Sequence, residues 1–93
     1  ASLRDLKKGI DYRVEEFVFD CERAICFQPS KEEAVVGIME NAVALRNALY
    51  IKANHPTEPR NASLVKKYYA ALRRDMVSSF GSLFAELSAL NEK

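Results

Sequence analysis

Glycine and proline are scarce in this chain, with three of each among 93 residues. Both residue types mark turns, so their scarcity disfavours a turn-rich β fold and favours long regular elements. Histidine occurs once and cysteine twice. These residues are too few, and too far apart in the sequence, for a zinc site with four such ligands. We therefore expect no metal and no cofactor.

Long apolar runs and a strong net charge are also lacking. No segment reads as apolar enough to span a bilayer, and the first residues lack the apolar core of a signal peptide. A formal net charge of +1 gives no general attraction to nucleic acid or to an anionic membrane. Cys21 and Cys26 would point about 140° apart on a helix and cannot pair there. The sequence therefore predicts free thiols in a cytoplasmic protein that does not contact a membrane.

Two breaks divide the chain into three helical segments. The first is Gln28-Pro29-Ser30, where Ser30 and Glu33 match a capping box. The second is the stretch 54–61, NHPTEPRN, after which Asn61 or Ser63 can cap a helix. Helices are predicted near 3–27, 31–53 and 62–90. A chain of this size makes one domain, and short connections favour an all-α, up-down-up antiparallel bundle of three helices.

Each predicted helix has an apolar stripe with helical spacing, and the three stripes together form the predicted core. The first helix contributes Leu3, Leu6, Ile10, Val14, Phe17, Cys21, Ala24 and Ile25. The second contributes Ala34, Val35, Ile38, Ala42, Leu45 and Leu49. The third contributes Val65, Tyr68, Tyr69, Leu72, Met76, Phe80, Leu83, Leu87 and Leu90.

His55 is the only histidine, and it lies in the second connection. Glu58 could orient its ring, but the chain offers no convincing nucleophile and no second histidine. The chain also lacks a glycine-rich phosphate loop and an HExxH motif. We interpret the stretch as a loop and the protein as non-enzymatic, with no catalytic residue. A ligand pocket among Tyr68, Tyr69, Phe80 and Phe84 is an alternative, although aromatic residues at this spacing more often form core.

A second apolar stripe runs along the back of each helix at a spacing of seven residues. Surface helices usually carry charge on that side, so these residues indicate a contact surface. A homodimer is the simplest arrangement, because a twofold contact needs only one self-complementary patch. Another helical protein is an alternative partner, and additional packing within the bundle would account for the stripe without any partner. The candidate interface residues are Tyr12, Phe19, Cys26, Val36, Met39, Val43, Tyr50, Val77 and Phe84.

Charged residues cluster in two stretches of opposite sign. The stretch 60–74 has five basic residues and no acidic one, namely Arg60, Lys66, Lys67, Arg73 and Arg74. The stretch 11–23 has five acidic residues. Since the first and third helices run parallel in an up-down-up bundle, we expect the two stretches at about the same height, where they neutralise each other. The alternative function is an RNA- or ribosome-associated module that uses the basic face.

Familiar segments occur along nearly the whole chain: SLRDLKKGIDYRVEEF, ENAVALRN, the NHP that precedes SLVKKYYAAL, and SLFAELSAL. Together they resemble a family of small helical bacterial proteins to which no activity is attached. The resemblance implies a cytoplasmic all-α protein. It implies no activity and no site residues.

Overall fold

The computed structural model describes residues 3–91, and three long helices account for most of them. α1 is Leu3–Phe27, α2 is Glu32–Asn54 and α3 is Ala62–Asn91. A short 3₁₀ turn, Pro29–Lys31, precedes α2. No strand occurs within the described residues. The prediction of an all-α chain with three helices is confirmed, and each helix begins and ends within one residue of the predicted range.

The ends of the helices follow from a few local interactions, one of which differs from the prediction. Asn61 caps α3, since its side-chain Oδ1 accepts a hydrogen bond from the backbone N–H of Leu64 at 3.1 Å. Ser30 does not cap α2. It lies inside the 3₁₀ turn, and Lys31, at the N-cap of α2, makes no side-chain capping bond. The predicted capping box is therefore wrong, because Pro29 starts a helical turn one residue before Ser30.

Contacts between the helices fix their directions. The Phe17 and Phe84 rings meet edge to face at 4.9 Å between centroids. A Cβ on Gly9 would lie 3.8 Å from Met76 Cε. Residues increase together along α1 and α3 in these two contacts, so the two helices run parallel. Tyr50, near the end of α2, contacts Asp11 near the start of α1, so α2 runs in the opposite direction. The helices pack side by side in a rod of 51 × 17 × 17 Å.

The buried side chains lie along the axis of this rod and come almost entirely from the predicted stripes. Phe17 and Phe80 are the largest fully buried residues. Two alanines differ from the prediction. Ala34 is exposed, although the next residue, Val35, is fully buried. Ala53 is buried, because the Tyr69 side chain folds over its carbonyl oxygen.

One segment, Pro29–Asn54, is long and apolar enough to cross a membrane by length and composition. The expectation that no segment has this character is therefore wrong. Its apolar content is explained in part by Val35, Ala42 and Leu49, which are buried in the rod. Only 22% of the most apolar window is buried in the rod, and a single helix of this length and composition is weak evidence for a membrane span.

Candidate functional site

The back of α1 carries large apolar side chains that no other helix covers. Tyr12 and Phe19 are 65% and 59% exposed, and Cys26, seven residues farther on, is exposed as well. They lie opposite the buried stripe of α1, which includes Ile10 and Phe17. The Arg23 guanidinium lies 5.9 Å from the centroid of the Phe19 ring. Even with this neighbour, most of the Phe19 side chain remains in contact with solvent.

Valines on α2 and α3 flank this face of α1. Val36 and Val43 share a row of seven-residue spacing with Tyr50, which contacts α1 through Asp11. Val77 shares such a row with Phe84, which contacts α1 through Phe17. All three valines are exposed, by 39%, 48% and 51%. Since the other member of each row contacts α1, the valines lie beside that helix. We call the six exposed residues the α1 surface: Tyr12, Phe19, Cys26, Val36, Val43 and Val77.

The other three candidate interface residues pack within the bundle. Met39, Tyr50 and Phe84 are half-buried and lie against the core. Their contacts are satisfied inside the chain, as in the edge-to-face pair of Phe84 with Phe17. They support the α1 surface from beneath rather than form part of it.

Tyr50 belongs to a polar cluster between α1 and α2. Its hydroxyl donates a hydrogen bond to Asp11 Oδ2 at 2.7 Å. Arg46 Nε lies 3.3 Å from Asp11 Oδ1, and the Arg46 guanidinium stacks 4.3 Å from the centroid of the Tyr50 ring. The bond to the Asp11 carboxylate holds the phenol proton and raises the pKa of Tyr50 above its ordinary value. The cluster fixes α2 against α1, and the sequence patterns did not predict it.

The two cysteines lie in opposite environments, as their spacing predicts. Cys21 is fully buried and Cys26 is exposed, and neither forms a disulfide. Burial raises the pKa of the Cys21 thiol to about 11, and the carboxylates of Asp20 and Glu22 add to the shift. Cys21 therefore behaves as an apolar core residue.

The charged stretches do not lie at the same height, which corrects the expectation from the sequence. Gly9 is level with Met76, and Phe17 is level with Phe84. The basic stretch 60–74 therefore lies beside and beyond the start of α1, whereas the acidic stretch 11–23 lies beside the second half of α3. The two described ion pairs, Arg23–Asp20 and Arg46–Asp11, do not join these stretches.

Charge is consequently divided between the two ends of the rod. The basic end, residues 3–10 and 49–77, has nine lysines and arginines and three acidic residues, a formal charge of +6. The acidic end, residues 11–48 and 78–91, has nine acidic residues and four basic ones, a formal charge of −5. The net charge of +1 hides this polarity. Counting the charges in each half of the bundle would have predicted this polarity from the sequence, but only with the correct register of α3 against α1.

The five residues of the candidate basic patch separate into two groups, three that line one cleft and two that do not. Arg60, Lys66 and Arg73 line a cleft at the basic end of the rod, together with Leu3 and Val65. Lys67 and Arg74 are exposed and do not line this cleft. In the part of the chain that the structure describes, none of the five forms an ion pair with a carboxylate.

His55 and the aromatic residues of α3 have structural contacts. The His55 backbone N–H donates to the Lys52 carbonyl at 3.3 Å and ends α2. Within residues 3–91, no three His, Cys, Asp or Glu side chains are grouped to hold a metal ion. The hydroxyls of Tyr68 and Tyr69 donate to the carbonyls of Lys52 and Ala53, and Phe80 is buried in the core. These tyrosines tie the start of α3 to the end of α2.

Comparisons with models of protein families, with curated proteins and with solved structures found no match to this chain. Any functional proposal for the chain therefore rests on its own geometry.

Proposed function

We propose that this chain is a non-enzymatic assembly module of the cytoplasm that forms a homodimer through the α1 surface. The observation that carries the proposal is the exposure of Tyr12 and Phe19, at 65% and 59%, on the side of α1 opposite its buried stripe. Aromatic side chains are enriched at protein interfaces, where they bury a large area at a small cost in conformational entropy. The valines of α2 and α3 widen the patch on both sides of α1.

The polarity of the rod favours a second copy as the partner and selects its orientation. In a parallel dimer the two basic ends would meet, as would the two acidic ends. In an antiparallel dimer the end with a charge of +6 lies beside the end with a charge of −5. Tyr12 lies near the middle of the rod, because the register of α3 on α1 places the start of α3 about 12 Å before Leu3, while α1 ends at Phe27. A twofold axis near Tyr12 therefore lets the two rods overlap along most of their length.

Light scattering after size exclusion, across a concentration series, tests the proposal. We expect twice the chain mass of 10.5 kDa for the natural sequence. Tyr12→Glu and Phe19→Glu should each give the monomer mass, because a carboxylate placed in the contact loses its hydration. Ile51→Glu is the matched control. Ile51 is 64% exposed, like Tyr12, and it lies about 100° around α2 from Tyr50, the residue whose hydroxyl contacts α1.

Two results would contradict the homodimer. One is a monomer mass for the natural sequence at concentrations up to about 1 mM, where even a contact worth only about −4 kcal/mol would form a detectable dimer. The other is equal dissociation by Ile51→Glu, which would mean that the contact is not on the α1 surface. Circular dichroism of each variant verifies that the helices are retained.

An RNA- or ribosome-associated module is the second candidate function. The observation that favours it is the basic end, which the acidic stretch of α1 does not neutralise. Binding to bulk RNA should weaken steeply as salt rises, since cations on a protein displace counterions from phosphate groups. Lys67→Glu combined with Arg74→Glu should abolish it. RNA binding that does not change between 50 and 200 mM salt, roughly the range over which phosphate contacts lose most affinity, would exclude this function.

A further inference from the structure

The basic end of the rod contains a cleft with a volume of about 700 Å³. Within the described residues, α3 is displaced along α1 toward this end of the rod. Gly9 is level with Met76, which places Leu3 level with Ala70. The first eight residues of α3 therefore extend about 12 Å beyond Leu3, at 1.5 Å per residue. Their inward side is not covered by α1; it contacts the end of α2 through two tyrosine hydroxyls and borders the connection 55–61.

The chemistry of the cleft is divided into an apolar floor and a basic rim. The floor includes Leu3, Val65 and Ala70, all partly buried. The rim consists of Arg60 from the connection and of Lys66 and Arg73 from α3. Lys66 and Arg73 are seven residues apart and thus two turns apart on one side of the helix. Their long, flexible side chains can converge on a group held between them.

Among the described residues that line the cleft, no carboxylate balances the rim. Neither described ion pair involves a rim residue. The acidic residues at this end of the rod are Asp5, Glu58 and Asp75, and none of them lines the cleft. Three positive charges around an apolar floor repel each other, so an anion held between them would relieve this repulsion.

We infer that the cleft binds a small anionic amphiphile, with a phosphate or carboxylate head on Arg60, Lys66 and Arg73 and an apolar group on the floor. The volume suits such a molecule, since sites for small organic ligands measure roughly 300–1,000 Å³. Arginine and lysine pair with phosphate and carboxylate through charge-assisted hydrogen bonds. The floor selects against simple inorganic anions, which have no apolar surface to bury. This site is separate from the proposed dimer contact.

Calorimetric titration with octyl phosphate tests the inference, with inorganic phosphate and octanol as partial ligands. We expect octyl phosphate to bind at least about tenfold more tightly than inorganic phosphate, because the alkyl chain is buried. Octanol should bind at least about tenfold more weakly than octyl phosphate, because it cannot pair with the rim. Equal affinity for octyl phosphate and inorganic phosphate would overturn the inference and leave a site for charge alone.

Two double variants with the same change in net charge locate the site. Arg60→Gln with Arg73→Gln should weaken octyl phosphate binding by about tenfold or more, since two charged partners are lost. Lys67→Gln with Arg74→Gln should change the affinity by less than about threefold, because those side chains do not line the cleft. Equal losses in both double variants would mean that the ligand responds to the general field of the basic end, and would overturn the inference.

Two further measurements distinguish the cleft from a nucleic-acid surface and from the dimer contact. In NMR spectra, octyl phosphate should shift the methyl signals of Leu3, Val65 and Ala70, and an absence of shifts there would overturn the inference. A single-stranded RNA oligonucleotide could also displace octyl phosphate. If the two double variants weakened its binding equally, the basic end would be a nucleic-acid surface instead. Repeating the titration with Tyr12→Glu separates the cleft from the dimer, because binding at the cleft should persist in the monomer.

Discussion

Cys21 shows how burial decides the chemistry of a single residue. Its side chain is fully buried in the core, and burial raises the pKa of its thiol to about 11. The raised pKa keeps the thiol protonated, and only the thiolate attacks alkylating reagents. Cys26, on the same helix, is exposed.

We predict that iodoacetamide at pH 8 modifies one thiol per native chain, Cys26, and two thiols per chain in guanidinium chloride. At pH 8 a thiol with a pKa of about 11 is ionised in about one molecule per thousand, and burial blocks access to it as well. Mass spectrometry of the labelled peptides checks the assignment, with Cys26→Ser as the control that should leave the native chain unlabelled. Rapid modification of Cys21 in the folded protein would contradict its placement in the core.

At the scale of the helix, two residues that the sequence predicts as N-caps can be compared directly, because only one of them makes a capping bond. Asn61 bonds the Leu64 backbone N–H at 3.1 Å, whereas Ser30 lies in a 3₁₀ turn before α2. Asn61→Ala should therefore lower the free energy of unfolding by about 1 kcal/mol, the usual value of an N-cap. Ser30→Ala is the matched change and should lower it by less than about 0.5 kcal/mol.

Urea denaturation followed by circular dichroism measures both values. If Ser30→Ala lowers the free energy of unfolding as much as Asn61→Ala, Ser30 caps α2, which would contradict its position inside a 3₁₀ turn. Asn61→Asp provides a further check, because aspartate caps helices as well as asparagine and should retain most of the stability.

Helix ends and buried stripes could be predicted from the sequence because they depend on nearby residues. Proline at 29, 56 and 59 and apolar residues at helical spacing act locally, and they predict three ranges close to the observed ones. The register between α1 and α3 depends instead on side chains far apart in the chain, such as Gly9 against Met76 and Phe17 against Phe84. No local pattern encodes that register.

The missing register accounts for the errors about the candidate sites. The sequence patterns placed the acidic stretch of α1 beside the basic stretch of α3, so the two were expected to neutralise each other. For that reason they predicted neither the charge polarity of the rod nor the cleft at its basic end. The same limit applies to Tyr50, whose spacing predicts an exposed position. Its hydroxyl instead reaches Asp11 on the neighbouring helix, and only the packing of α2 on α1 brings the two together.

At the scale of the whole molecule, the polarity of the rod gives the proposed dimer a dependence on salt. An antiparallel pair places opposite charges side by side, so added salt should screen an attraction and weaken the dimer. Screening is effective over about 10 Å at 0.1 M salt. We predict a dissociation constant that rises several-fold between roughly 20 and 500 mM NaCl, measured by analytical ultracentrifugation. A constant that falls over this range would contradict the antiparallel arrangement, because salt strengthens apolar contacts and relieves repulsion between like ends.

The distance between equivalent ends of the two chains tests the orientation directly. A spin label on Ser63→Cys, in a chain with Cys26→Ser, marks the basic end, where Ser63 is exposed in the first turn of α3. In an antiparallel dimer, two such labels lie at opposite ends and are separated by most of the 51 Å length of the rod. In a parallel dimer they lie at the same end and are separated by about the width of two helices, roughly 20 Å. A pulsed electron resonance measurement near the shorter distance would rule out the antiparallel dimer while leaving the α1 surface as the contact. A distance near the longer value that disappears in Tyr12→Glu would support an antiparallel dimer that forms through the α1 surface.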